Sequence, residues 1–293
     1  MRIAVLGATG VAGRALIPAL KSRGHQVRAS FHSAGGQSTA AQLGDEAMRC
    51  DILDPGSVND FTAGSDAVIN LATAIPKPGG TGSWVANDRV RRDGTANVIT
   101  ACKRCGSRLI QQSVAMLHCA NDVVPQAEND PLVGYGVLES ASELERMVSA
   151  ASIDWRIVRG AAFYGPGTGR EQALVASVSD PAFRVPGDGS AWISFVHVRD
   201  FAAALCVIVE DGRGGEAYIA ADDSPIQMLD LYSRLAAGRR LSMPLCGGPA
   251  GLRSFRVSNA KLRGIGWRPT HPLLSLLDAD REEAAALANI LEG

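Results

Sequence analysis

Three glycines at fixed spacing are the first residues in this chain whose types suggest chemistry. Gly7-Ala8-Thr9-Gly10-Val11-Ala12-Gly13 follows the apolar run Ile3–Leu6 directly and opens a helical stretch. Glycine there permits a tight turn and a close backbone approach, so the free amides at the helix start can hold a pyrophosphate. A glycine trio alone marks any strand-to-helix turn, but its place at the first such turn of an alternating chain makes it a dinucleotide site. Gly7, Thr9, Gly10, Val11 and Gly13 are the expected contacts. A site selective for NAD ends its second strand in Asp or Glu, which accepts hydrogen bonds from the ribose 2′-hydroxyl. No acid occurs from Gly7 to Gly44, and Arg14, Arg28, His32 and Ser33 stand where a 2′-phosphate could be met. Any one of these reads equally as a solvated surface group. The missing carboxylate carries the expectation, which is NADP(H).

Other reactive side chains offer less. Ser113 stands just past a fifth strand, in Ile110-Gln111-Gln112-Ser113, and a polar residue at the end of a central parallel strand faces the ligand crevice. No Ser-His-Asp spacing competes for it. Cys102-Lys103-Arg104-Cys105 has redox or metal spacing, but it closes a helix, where the dipole disfavours a thiolate. With no second cysteine pair and five scattered histidines, no metal is expected. Trp84, Trp192, Phe163 and Tyr164 are candidate walls of an apolar pocket, with core packing the simpler reading; Arg89, Arg91 and Arg92 read as a solvated helix face.

These residues need a scaffold, and the hydrophobic pattern supplies one. Strands read at Ile3–Leu6, Gln26–Phe31, Ala47–Cys50, Ala67–Leu71, Arg108–Gln112 and Trp155–Val158 alternate with helices. That pattern predicts an α/β fold, a doubly wound parallel sheet of the Rossmann kind. Helices are expected from Val11 to Arg23, with a kink at Pro18, from Asp54-Pro55, and from Trp84 to Cys105 before Gly106. After Arg159 the alternation loosens into Gly165-Pro166-Gly167-Thr168-Gly169, and Gly187-Asp188-Gly189 reads as a hairpin turn. A helix at Asp200–Val209 and a strand at Ala217–Ala220 return to the sheet, followed by a helix opened by Ser224 and Pro225 and another from about Pro272. The expected organisation is a nucleotide-binding domain of residues 1–163 plus 197–222, with a small discontinuous substrate lobe of residues 164–196 plus 223–293.

The chain has 293 residues, 46% hydrophobic and 20% charged, with a formal net charge of −1. A near-neutral balance gives no electrostatic footprint for nucleic acid. No apolar run approaches membrane-spanning length, and the opening residues enter a strand without room for a signal peptide. A cytoplasmic protein with reduced thiols is expected, monomeric or homodimeric, acting on a small molecule and touching neither nucleic acid nor membrane.

The Gly-x-x-Gly-x-x-Gly spacing resembles extended and atypical short-chain dehydrogenases/reductases, and the likeness continues along nearly the whole chain. Asp51-Ile52 resembles the family's adenine-contacting pair, and Asn70-Leu71-Ala72-Thr73 its segment after the fourth strand. Gly94-Thr95-Ala96-Asn97, Ser194-Phe195-Val196-His197-Val198-Arg199-Asp200, Ser258-Asn259-Ala260-Lys261 and Gly266-Trp267-Arg268-Pro269 match later family segments. The resemblance adds Asp51, Ile52, Leu71, Ala72, Thr73 and Ala161 to the expected cofactor contacts. It also implies a catalytic Ser and Tyr at Ser113 and Tyr135, the latter opening a helix, with a Lys four residues on to lower the tyrosine pKa. That position holds Glu139, and a carboxylate would raise the tyrosine pKa above its free value of about 10. Dehydratases of the family place acids beside the Ser, where Val114-Ala115-Met116 stand here. The implied activity is NADPH-dependent reduction of a carbonyl on a fairly apolar small molecule, as in atypical ketoreductases of secondary metabolism. An NAD-dependent nucleotide-sugar epimerase and a non-enzymatic NADP(H)-binding regulator are the alternatives.

Overall fold

Ile3, Ala4, Val5 and Leu6 are each at most 2% exposed, and a strand with no polar side is stable only where helices cover both faces. The computed structural model, which describes residues 1–76, 83–120, 123–249, 251 and 253–273, has that arrangement. The first half runs β1 (Arg2–Leu6), α1 (Val11–Ser22), β2 (Gln26–Phe31), α2 (Ala34–Leu43), β3 (Glu46–Arg49), α3 (Pro55–Thr62), β4 (Ala67–Asn70), α4 (Trp84–Arg89), a π turn (Val90–Gly94), α5 (Thr95–Cys105), β5 (Arg108–Val114), α6 (Glu139–Ser149) and β6 (Trp155–Gly160). The second half continues β7 (Ala162–Tyr164), α7 (Arg170–Ser179), β8 (Arg184–Pro186), β9 (Trp192–Ile193), β10 (Phe195–His197), α8 (Val198–Asp211), β11 (Glu216–Ala220), β12 (Ile226–Gln227), α9 (Met228–Gly238), β13 (Leu245–Gly248) and α10 (Ala260–Gly264).

Seven strands form one parallel sheet in the order β11-β6-β5-β4-β1-β2-β3. The order reverses between β1 and β4, and beyond the carboxyl ends of those strands a doubly wound sheet opens its ligand crevice. Leu16, Ile17 and Leu20 of α1 with Phe201, Leu205 and Ile208 of α8 cover one face; Val58, Phe61, Val98 and Leu144 from α3, α5 and α6 cover the other. A smaller core around Tyr164, Phe195, Leu231 and Phe255 joins the two-stranded pairs β10-β7 and β12-β9, and a third pair, β13-β8, stands beside it. None of the helices among the described residues is long and apolar enough to cross a membrane.

Local signals explain some element ends. Asp54 caps α3 by accepting from Gly56 N at 2.9 Å, with Pro55 at the first helical position. Gly106 stops α5 in the left-handed conformation, φ +72°. Several expectations need correction. The helix read from Trp84 to Cys105 is interrupted by the π turn. The helix read from Val11 to Arg23 is α1, Val11–Ser22 with Arg23 as its C-cap and Pro18 inside it. Gly187-Asp188-Gly189 does not close a hairpin, since β8 pairs with β13 and β9 with β12. Ser224 and Pro225 precede β12, so α9 starts only at Met228. The helix read from Pro272 falls, from residue 274 on, outside the described residues.

Candidate active site

The glycine loop is shaped by contacts that exclude any side chain. Gly7 sits at φ +76°, and a Cβ there would lie 2.7 Å from the Leu71 carbonyl at the end of β4. At Gly13 a Cβ would come within 2.5 Å of the Ala8 and Gly7 carbonyl oxygens, so Gly13 is what lets α1 start hard against the loop. Gly7 N donates to Ser30 Oγ at 3.0 Å, tying the loop to β2. The start of α1 has no side-chain cap, which leaves its amides for a ligand anion.

Beside this loop a cleft of about 460 Å³ opens between the ends of β1, β2 and β4. Gly7, Thr9, Gly10, His32, Asp51, Ile52, Leu71, Ala72 and Thr73 all line it, so most of the expected contacts meet in one place. The donors and shape fit a dinucleotide: a glycine cradle, uncapped amides and apolar walls. Asp51 is fixed in place, its Oδ1 accepting from Leu53 N at 2.9 Å while its N–H donates to Ser57 Oγ at 3.0 Å. Cleft residues that sequence reasoning passed over include Ser30, Phe31, Cys50, Ala86 and Arg89. They are brought in by sheet register and by α4, which no local motif announces.

Five expected contacts lie elsewhere. Val11 and Gly13 belong to the first turn of α1, where Gly13 acts through packing. Ser33 is the residue before α2 and is exposed. Ala161 is 3% exposed and its N–H donates to Ala220 O, because the chain past β6 stays paired with the end of β11. Arg14 folds back on the loop, its Nε donating to Thr9 O at 2.8 Å. A Cβ on Gly36 would lie 3.5 Å from Thr9 Cγ2, so Arg14, Thr9 and the start of α2 share one corner of the cleft mouth, with His32 lining the cleft. Arg28 is at the opposite end of β2, bonded to Glu46 Oε2 at 2.7 Å and to the Phe61 and Ala63 carbonyls, far from any 2′-phosphate held at the strand's carboxyl end.

Ser113 differs from its expected position past the strand end. Strand β5 continues to Val114, and Ser113 pairs in register with Arg159 of β6. Strand alternation then turns its side chain toward α6. Its Oγ donates to Glu145 Oε1 at 2.5 Å, and Glu145 grips the Arg159 guanidinium at 2.7 to 3.1 Å. Arg159 Nη1 also donates to Glu128 O at 2.8 Å and lies 3.1 Å from His118 Nε2. Burial, with the Arg159 charge second, pushes the His118 pKa down to about 4, so the ring is neutral.

Tyr135 does not begin a helix. It is extended (φ −153°), followed by a 3₁₀ turn, and α6 starts at Glu139. Its hydroxyl accepts from Arg253 N at 3.3 Å, with the Arg253 guanidinium 4.5 Å over its ring. Burial raises its pKa above the usual phenol value, the Arg253 contacts opposing this in part. Glu139 is exposed, and no hydrogen bond joins Tyr135 to Ser113 among the described residues.

Several of the remaining candidates are packing residues. Tyr164 is buried in the smaller core, and Phe163 packs on Phe201 at 4.7 Å. Trp192 lies under Arg256, while Trp84 is 40% exposed. Cys102 is buried, its thiol pushed up to about 12 by desolvation. His197, Asp200 and His271 gather within 4.8 Å. The two rings stack at 4.2 Å and 14°, so their in-plane lone pairs run nearly parallel, and Asp200 already accepts from Thr270 and His271. This cluster anchors the segment after α10. Of the three arginines read as a solvated face, Arg89 and Arg92 are exposed or half-buried and paired with acids, but Arg91 is buried.

Residues 3–221 match the model of the NAD dependent epimerase/dehydratase family. The chain is 30% identical to a 3-diazoavenalumate denitrifying reductase from a Streptomyces species, over 93% of this chain and 97% of that protein. It is 31% identical to the 2-alkyl-3-oxoalkanoate reductase of Stenotrophomonas maltophilia, over 81% and 75%. Its fold superposes on a dTDP-glucose 4,6-dehydratase from Streptomyces venezuelae, solved with NAD, with a TM-score of 0.80 at 19% identity over 96% of each chain. With the cleft geometry, these matches make the chain an NAD(P)-dependent oxidoreductase that belongs to the NAD dependent epimerase/dehydratase family of extended short-chain dehydrogenases/reductases.

Proposed function

We propose that the chain is an NADPH-dependent ketoreductase acting on a carbonyl of a fairly apolar small molecule. The observation that carries this reading is a cleft lined by the glycine loop and by nine of the expected cofactor contacts, beside a proton relay that is not assembled. NADPH, when bound, supplies a hydride; the chain does the rest. Gly7, Gly10 and the α1 amides hold the pyrophosphate, Asp51 and Ile52 the adenine, and Arg14 with His32 the 2′-phosphate. Leu71, Ala72 and Thr73 direct the nicotinamide half toward the ends of β4 and β5. A ketone that accepts hydride must also gain a proton. The Ser113 hydroxyl hydrogen is given to Glu145, and Tyr135 lacks a lysine to draw out its proton. The proton then comes from water or from a hydroxyl beside the substrate carbonyl. The reductase of 2-alkyl-3-oxoalkanoates among the relatives supports carbonyl reduction.

The same missing relay favours a second reading, an acceptor that needs no proton. In an arenediazonium ion, hydride forms a new C–H bond as the C–N bond breaks; dinitrogen leaves and NADPH becomes NADP⁺. The denitrifying reductase among the relatives is named for a diazo compound.

Calorimetric titration with NADPH and NADH, followed by NADPH oxidation with aromatic β-keto acids and with a carboxybenzenediazonium salt, tests both. NADPH preference with alcohol product supports the ketoreductase, while dinitrogen release with arene product selects the second reading. NADH preference would overturn the cofactor assignment and bring sugar epimerisation forward.

A further inference from the structure

A second, smaller cavity of about 30 Å³ lies between the ends of β4 and β5 and helix α6, sharing Ala72 and Thr73 with the cofactor cleft. Ser113 and Arg91 both line it. Arg91 is 6% exposed and sits on the π turn, an irregularity that recurs at functional positions and here turns this arginine inward. Its Nη1 donates to Val137 O at 2.9 Å and to Ser140 Oγ at 3.3 Å, which fixes the guanidinium plane. Asp88 compensates its charge from a distance, held by Ser140, whose Oγ donates to Asp88 at 2.6 Å; no carboxylate lies within 4.0 Å of the guanidinium among the described residues. Its Nε and Nη2 find no acceptor among them either.

A buried cation without a directly paired carboxylate is costly, and such a group facing a cleft is a mark of a ligand site. The cofactor's phosphates do not meet this charge, because they belong at the glycine loop and at the end of β2. The unused Nε–H and Nη2–H form one edge of the guanidinium, whose two parallel donors match the two oxygens of a carboxylate. The cavity has room for roughly two water-sized groups, which suits a carboxylate and little more.

We infer that Arg91 is the anion-recognising residue of the substrate site and that the substrate carries a carboxylate, seated between β4, β5 and α6 so that the reacting carbon lies over the ends of those strands. This rests on the reductase reading above and narrows its substrate to carboxylic acids.

The test titrates the NADPH-loaded protein by calorimetry with cinnamate and with cinnamide, a charged and a neutral probe of one shape. The expected result is a preference of about tenfold or more for cinnamate, the range of a charge-assisted pair. The preference should vanish in Arg91→Gln and shrink in Arg91→Lys, which keeps the charge and loses the edge. NADPH affinity should stay unchanged in both variants and reports that they are folded. Equal affinity of the wild-type protein for the two probes, absence of cinnamate binding, or a preference that survives Arg91→Gln overturns the inference. Failure to bind NADPH at all would instead refute the reductase reading.

Discussion

Glu145→Gln removes one oxygen charge and almost no volume from the most buried ion pair in the described structure. The side chains of Glu145 and Arg159 are 6% and 7% exposed, and the carboxylate accepts three contacts from Arg159 and one from Ser113. A glutamine keeps one acceptor and turns the other into a donor facing a donor. Arg159 would be left as a buried cation held only by Glu128 O and neutral His118. Breaking a buried pair from one side costs about 3–5 kcal/mol. That is a large part of the roughly 5–15 kcal/mol that holds a typical protein folded. At about 2–4 °C per kcal/mol for a chain approaching this size, the melting temperature should fall by roughly 6–20 °C. Urea unfolding of the cofactor-free protein, followed by circular dichroism, reads the same loss as a shifted midpoint at constant slope. The paired replacement Glu145→Leu with Arg159→Met should recover most of it, since apolar residues can replace a buried ion pair at little net cost. A loss under about 1 kcal/mol for Glu145→Gln, or a double variant no better than the single one, would refute the view that this pair is desolvated and mutually dependent.

His118 gives a pH dependence of definite sign. Its folded pKa of about 4 lies below the unfolded value near 6.5, so the unfolded chain binds the extra proton first; stability is full above pH 6.5 and falls between pH 6.5 and 4, by up to about 3 kcal/mol. Denaturation across that range should show the slope, and His118→Gln should flatten it. Tyr135→Phe should lower turnover by less than about a hundredfold, below the usual gain from a general acid, and abolished turnover in steady-state assays would return Tyr135 to a proton-donating role. Arg14→Ala should weaken NADPH binding about tenfold or more while sparing NADH, whereas Arg28→Ala should leave the ratio of the two affinities unchanged; a loss of selectivity on changing Arg28 would contradict its place at the far end of β2.

What the sequence determined by itself was whatever depends on residues close together in the chain. The glycine loop, the strand and helix alternation, the Asp54-Pro55 helix start and the Gly106 stop are each set by backbone conformation or by burial on both faces, and a local pattern expresses them directly. The meeting of Asp51, Leu71 and Thr73 with the loop was legible through family resemblance, because parallel strands bring their carboxyl ends to one edge. The tertiary structure alone decided which way long or polar side chains turn. Ser113 looked free at a strand end, but two more residues of pairing with β6 put it on the α6 face, where Glu145 takes its hydrogen. Arg28 looked like a phosphate ligand until sheet register set it beside Glu46 at the wrong end of its strand. Arg91 looked like its exposed neighbours until one π turn shifted the helical phase and buried it. Each outcome depends on a partner 18 to 49 residues away in the chain, through Arg28 with Glu46 and Arg91 with Val137 and Ser140, or on strand register and helical phase. A charge or hydroxyl is chemically available only if no nearer partner has already claimed it, and that competition is settled in three dimensions.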